Sequence, residues 1–174
     1  MIRKAVQSDI EGIETLLSAV HDAEEAGLTT TGWKRAIYPI RATAEAALSR
    51  DDLYVLEEDG AILGMGVINQ LQVDVYAGAP WRYPAPDEKV MVLHTLAIHP
   101  AARGGGRATA FVRYYEVCDR AHGCRYLRID THERNTAARR LYHKLGFEEI
   151  SVAPCTFNGL EGIRLMLLEK RLEG

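Results

Sequence analysis

The chain has 174 residues, of which 47% are hydrophobic and 26% charged, the balance of a globular domain large enough to bury a substantial core. Its 21 Lys and Arg against 24 Asp and Glu leave a formal charge of −3, which excludes a general pull toward nucleic acid or anionic lipid, and no apolar run approaches a bilayer span. The three cysteines, Cys118, Cys124 and Cys155, are odd in number and lack paired spacing, so neither a disulfide framework nor a metal site is expected.

Met1–Val6 leads straight into a helix start rather than a secretory apolar region, and a cytoplasmic location is the expectation. Residues 2–7 read as a strand. Ser8-x-x-Glu11 has the form of a capping box, and Ile10, Ile13, Leu16, Leu17 and Val20 follow at helical spacing. Residues 27–40 are irregular and carry Trp33, Tyr38 and Pro39. A short helix over 43–49 leads to two β runs, 53–56 and 62–69, joined by the turn dipeptide Asp59-Gly60. Residues 71–89 hold Tyr76, Trp81, Tyr83 and several prolines, an insertion too long for a tight turn, suited to a functional loop or a homodimer contact. Then come a strand over 90–98, a helix ending near His122 before Gly123, a strand over 126–131 and a helix over 135–145 stopped by Gly146. Strands near 147–152 and 164–169 close the chain. The order βααβββαβαββ predicts one α/β (α+β) domain over 1–174, a mixed sheet with helices on both faces.

The run Arg103-Gly104-Gly105-Gly106-Arg107-Ala108 sits between an apolar strand and an amphipathic helix. Such a junction leaves backbone N–H groups unpaired at the positive end of the helix dipole, and glycine lets a ligand approach them. Phosphate suits that environment. The run lacks the Gly-Lys-Ser/Thr of a P-loop and the spacing of a dinucleotide fingerprint. What remains is Arg103-x-x-Gly106-x-Ala108, which resembles the pyrophosphate signature of the GNAT superfamily of acyl-CoA N-acyltransferases.

A second stretch strengthens the resemblance. Asn135-x-x-Ala138-x-x-Leu141-Tyr142-x-Lys144-x-Gly146-Phe147 is similar to the second half of the GNAT core, and Leu93-His94-Thr95-Leu96-Ala97-Ile98-His99-Pro100 to its central strand. The similar region spans 90–150. The family implies a V-shaped sheet of six to seven strands flanked by about four helices, parted between the 90–98 and 126–131 strands, with pantetheine in the gap. It implies acetyl-CoA as co-substrate, held by the backbone of Leu96, Ala97 and Ile98 and by the amides of Arg103, Gly104, Gly105, Gly106, Arg107, Ala108 and Thr109. An N–H near Ala97 or Ile98 would polarise the thioester carbonyl.

Asn135 matches the cofactor-contacting asparagine and is equally a good helix N-cap. Tyr142 matches the tyrosine that protonates the leaving thiolate; its place on an apolar helix face also suits plain packing. The run from Leu93 to His99 resembles serotonin N-acetyltransferases, which implies a base at His94, with Val92 where a second histidine would stand. The other reading of His94 is a half-buried histidine bonded in the sheet. Glu88, Asp130 and Glu133 are further candidates for a base or acceptor anchor. Asp130-Thr131-His132-Glu133 and Trp33…Tyr38-Pro39 resemble a bacterial GNAT subgroup, a comparison that implies Trp33, Tyr38 and Pro39 border the acceptor site, where Asp130 is the expected anchor; Trp33 suits a packing anchor equally well.

The expected activity is acetyl transfer from acetyl-CoA to a primary amine, a small molecule or a peptide amine, by direct attack in a ternary complex. The competing reading is an acyl-CoA-binding module without catalysis; a third is a protein N-terminal or lysine acetyltransferase.

Overall fold

The computed structural model describes residues 1–173, without the side chains of residues 119 and 120. Its strands are β1 (Ile2–Lys4), β2 (Leu53–Glu58), β3 (Ala61–Asn69), β4 (Val90–Ile98), β5 (Tyr126–His132), β6 (Glu148–Phe157) and β7 (Leu160–Arg171). Its α-helices are α1 (Ile10–Glu25), α2 (Arg41–Ser49), α3 (Arg107–Ala121) and α4 (Thr136–Lys144). The strands form one seven-stranded sheet in the order β1-β2-β3-β4-β5-β7-β6, antiparallel except for the β4–β5 pair.

Alternation along β4 assigns the two faces of this sheet. Met91 and Leu93 point into a core made with Phe111, Val112 and Tyr115 of α3 and with Tyr142 and Leu145 beside them. Val67 of β3 and Ala97 of β4 meet Ile13, Leu16 and Val20 of α1 and Ala44 and Ala47 of α2. Val90 and Val92 meet neither helix pair: they pack with Tyr76 of the 71–89 segment, and with Leu160, Ile163 and Leu165 of β7. The insertion thus takes the place of a helix over the β4–β5–β7 half of the sheet. Its aromatic residues turn inward, with Tyr76 and Trp81 edge to face at 5.1 Å and Trp81 beneath Arg128 at 4.1 Å.

Several expected boundaries move. The first strand ends at Lys4, and Gln7–Asp9 form a 3-10 turn before α1. The capping box expected at Ser8 does not form. Asp9 accepts the Val6 N–H at 2.8 Å instead, because Arg3 grips the same carboxylate at 2.7 and 2.9 Å and fixes it there. The last two strands run well past their expected ends, meeting at Asn158-Gly159, both at positive φ (48° and 78°) as a two-residue hairpin turn demands. Pro154 is tolerated because β6 is an edge strand.

Candidate active site

β4 and β5 pair only from Val90↔Tyr126 to Leu93↔Ile129. Beyond that point Asp130–His132 stay on β7, while β4 follows β3, and the sheet opens into a V. A bulge in β4 starts the divergence. Met65 faces Ala97 and Val67 faces His94, so Thr95 and Leu96 together stand against Gly66. Thr95 lies at φ 53°, a conformation rare for a β-branched residue, and its hydroxyl is bonded to the Tyr38 hydroxyl. Below the split Tyr115 clamps the two strands, its hydroxyl 2.6 Å from the Met91 carbonyl and 3.0 Å from that of Arg128.

On the α3 side of the opening lies the glycine run. Gly104 and Gly106 have φ of 81° and 76°, which turns the chain sharply into α3. Among the described residues, no protein group accepts from the N–H groups of residues 104–109, and the first bond of the new helix is Ala110 N–H to the Gly106 carbonyl at 2.9 Å. A Cβ built on Gly104 or Gly106 meets nothing within 4 Å, so the space over this nest of amides is open. The two flanking arginines differ. The Arg107 guanidinium is held by Glu58 at 2.6 Å and by the Ala102 carbonyl at 3.1 Å, leaving only its main chain for a ligand. Arg103 is exposed and makes no salt bridge among the described residues, although it feels the charge of Glu24.

Strand alternation aims a further donor at the opening. The His99 N–H bonds to Leu63 across β3, which turns the Ile98 N–H the other way, toward the gap. From α4, Asn135 accepts the Ala138 N–H at 3.2 Å as the N-cap, and its side chain also lines the cavity between the strands. Tyr142 lines the same cavity, only 5% exposed, its ring 5.9 Å from Phe147. Among the described residues none bonds the Tyr142 hydroxyl, and burial pushes its pKa far above that of an ordinary tyrosine.

His94 and Asp130 point to the opposite sheet face, that of Val92 and the insertion. His94 Nε2 sits 2.9 Å from Asn69 Oδ1, which also accepts the Leu71 N–H at 3.0 Å, while Asn69 Nδ2 donates to Asp52 at 2.8 Å. That chain fixes the Asn69 amide and makes His94 Nε2 the donor. Desolvation lowers the His94 pKa to about 4, so the ring is neutral at pH 7. Asp130 moves the other way, its pKa raised to about 6 by desolvation against the counter-effect of a 2.8 Å hydrogen bond from Tyr76. Trp33 and Tyr38 cover this chamber, in edge-to-face contact at 6.2 Å, and Tyr38 meets Phe157 at 6.1 Å. Glu133 lies apart, paired with Arg164 at 2.7 Å.

The cavity therefore joins His94, Leu96, Asn135, Asp130, Tyr142, Trp33 and Tyr38. It does not take in the glycine run, which opens on a separate surface beside Glu58 and Met1. Tyr76, Thr95 and Phe157 were not among the expected site residues. The 71–89 insertion, read as suited to a functional loop, carries Tyr76, and Asn158-Gly159, a strong hairpin signal, stands next to Phe157; no such signal marks Thr95.

A family profile described as Acetyltransferase (GNAT) family matches residues 17–147, spanning the bulged strand, the glycine run and α4. The chain belongs to the GNAT acetyltransferase family. A GNAT-family acetyltransferase from Streptococcus agalactiae is 25% identical, with a TM-score of 0.81 over 100% of this chain and 96% of that one. An N-acetyltransferase from Staphylococcus aureus Mu50 is 22% identical, with a TM-score of 0.71 over 99% and 98% of the two chains. The Salmonella typhimurium protein YncA, solved with acetyl-CoA, is 19% identical, with a TM-score of 0.70 over 99% and 94%. No curated protein matches the sequence. The seven-stranded sheet parted between β4 and β5 is thus the fold these GNAT structures share.

Proposed function

We propose that this GNAT protein transfers an acetyl group from acetyl-CoA to a primary amine, both substrates being bound together. The observation that carries the reading is an open amide nest on one sheet face and, on the other, a desolvated carboxylate whose cavity reaches Leu96, Asn135 and Tyr142 in the β4–β5 gap. Acetyl-CoA, when bound, would supply an activated carbonyl carbon. The N–H groups of residues 104–109 and the exposed Arg103 suit its pyrophosphate, and Leu96, the Ile98 main chain and Asn135 suit its pantetheine arm, whereas the Ala97 main chain is turned to Met65 of β3.

The chemistry needs three services from the protein. The Ile98 N–H is placed to stabilise charge on the carbonyl oxygen. The amine attacks as the neutral base, its ammonium proton having gone to solvent; Asp130 then takes a second proton from the nitrogen as the N–C bond forms, and we give it this role in preference to His94. An acidity near 6 leaves Asp130 ionised at pH 7 and able to accept, whereas a histidine near 4 holds a proton poorly and has Nε2 tied to Asn69. Tyr142 donates to the sulfur as the C–S bond breaks and the electron pair leaves on sulfur. Its raised pKa keeps it a neutral donor through the whole working range. Holding both reactants across the gap supplies much of the rate.

The test is release of free CoA thiol with a broad amine panel, beside calorimetry of acetyl-CoA binding. Turnover with at least one amine supports the reading. Binding without release on any acceptor would make the protein an acyl-CoA-binding module, and a flat titration would remove the cofactor assignment.

A further inference from the structure

We infer that the acceptor is a small primary amine that carries no acidic group and has an apolar body. The inference rests on the acetyl-transfer reading above and adds the class of acceptor. Among the described residues lining the cavity there is no lysine or arginine, and Asp130 is the only carboxylate. The two histidines there add no positive charge at neutral pH: His94 is about 4, and desolvation together with Arg134 lowers His132. Of the cations close in sequence, Arg139 is engaged with Glu149 at 2.6 Å and Arg164 with Glu133 at 2.7 Å, while Arg134 is exposed and outside the cavity lining, near enough to act on His132.

An ammonium entering this chamber finds one counter-charge, Asp130. A carboxylate, phosphinate or phosphate attached near the amine would find none, and would be desolvated beside a like charge. Beside the hydroxyls of Thr31, Thr95 and Thr131, the chamber has one apolar side, supplied by Trp33, Phe157, Leu160, Ile163 and Leu165, against which the body of the amine would lie. It is also roofed. The hairpin tip approaches the 27–40 loop so closely that a Cβ on Gly159 would lie 3.4 Å from Ile37, and the Tyr38–Phe157 contact lies just inside. A compact body fits beneath that roof, and a polypeptide main chain lying across the site does not.

The experiment compares acceptors that differ only in the acid group: 2-phenylethylamine, phenylalanine and phenylalanine methyl ester, with pentylamine and norleucine as an alkyl pair. Free-thiol release gives kcat/KM, and calorimetry in the presence of CoA gives binding of the same compounds without turnover. The amines and the ester are expected to exceed the amino acids by about 100-fold or more, since like charges side by side in a desolvated site are strongly disfavoured. Recovery by the methyl ester separates charge from bulk. Amino acids that bind or react as well as their amines would overturn the inference while leaving acetyl transfer standing. So would faster transfer to peptide N-termini or to lysine in a peptide. Arg134→Ala is expected to leave the preference unchanged, and its loss there would move recognition to the rim and overturn the assignment. Failure of the acetyl-transfer reading looks different: no CoA release with any acceptor, acidic or not.

Discussion

Removing one hydroxyl, in Tyr76→Phe, tests whether the 71–89 segment tunes the proton acceptor. Tyr76 is 2% exposed and donates to Asp130 Oδ2 at 2.8 Å, so the substitution keeps the ring and deletes only the hydrogen bond. That bond favours the ionised carboxylate, and without it the Asp130 pKa, already raised to about 6, goes higher. A hydrogen bond to a charged group is worth about 1.5–3 kcal/mol, and one pKa unit is 1.36 kcal/mol, so the shift is about 1–2 units. The acid limb of kcat/KM against pH is expected to move from about 6 to roughly 7–8. At pH 6.5 the variant then falls roughly 3- to 25-fold below wild type, and at pH 9 it lies within about 2-fold. The ratio of variant to wild type cancels ionisation of the amine substrate. An unmoved limb would refute the reasoning, and an equal loss at every pH would reduce Tyr76 to a packing role.

Asp130→Asn is expected to abolish most turnover while raising Tm above pH 6. A carboxyl whose folded pKa is raised from 3.8 to about 6 favours the fold fully below pH 3.8, and that contribution is lost as pH rises through 6. The ionised form therefore costs up to about 3 kcal/mol at pH 8, which the neutral amide relieves, as thermal melts at pH 5 and 8 will show. A variant less stable at both values contradicts this. Tyr142→Phe should lower kcat about 100-fold with acetyl-CoA affinity unchanged; wild-type turnover removes Tyr142 from the chemistry. Gly106→Val forces a side chain onto φ 76° and re-aims the amides that follow, and acetyl-CoA is expected to bind about 10-fold or more weakly by calorimetry. Unaltered affinity would count against the phosphate-binding role of this turn.

Local chemistry made much of this protein legible in its sequence. The Asp59-Gly60 hairpin, the α1 stripe from Ile10 to Val20, the Gly104–Gly106 entry to α3 and the Asn135 cap each depend on residues close in the chain, and each stands where expected. What the sequence left open are the outcomes that require distant segments to meet. Nothing local marks Thr95 as the bulge that parts the sheet: its positive φ is held between Gly66 on one side and Tyr38, far back in the chain, on the other. By resemblance His94 is the first candidate for a base and Asp130 only a further one. The acidities that lead us to propose the reverse order follow from desolvation and from which partner reached each, Asn69 for one and Tyr76 for the other. Short-range propensity fixes turns and caps because the groups involved are already neighbours, whereas the acidity of a buried group depends on everything packed around it, and only the folded chain supplies that surrounding.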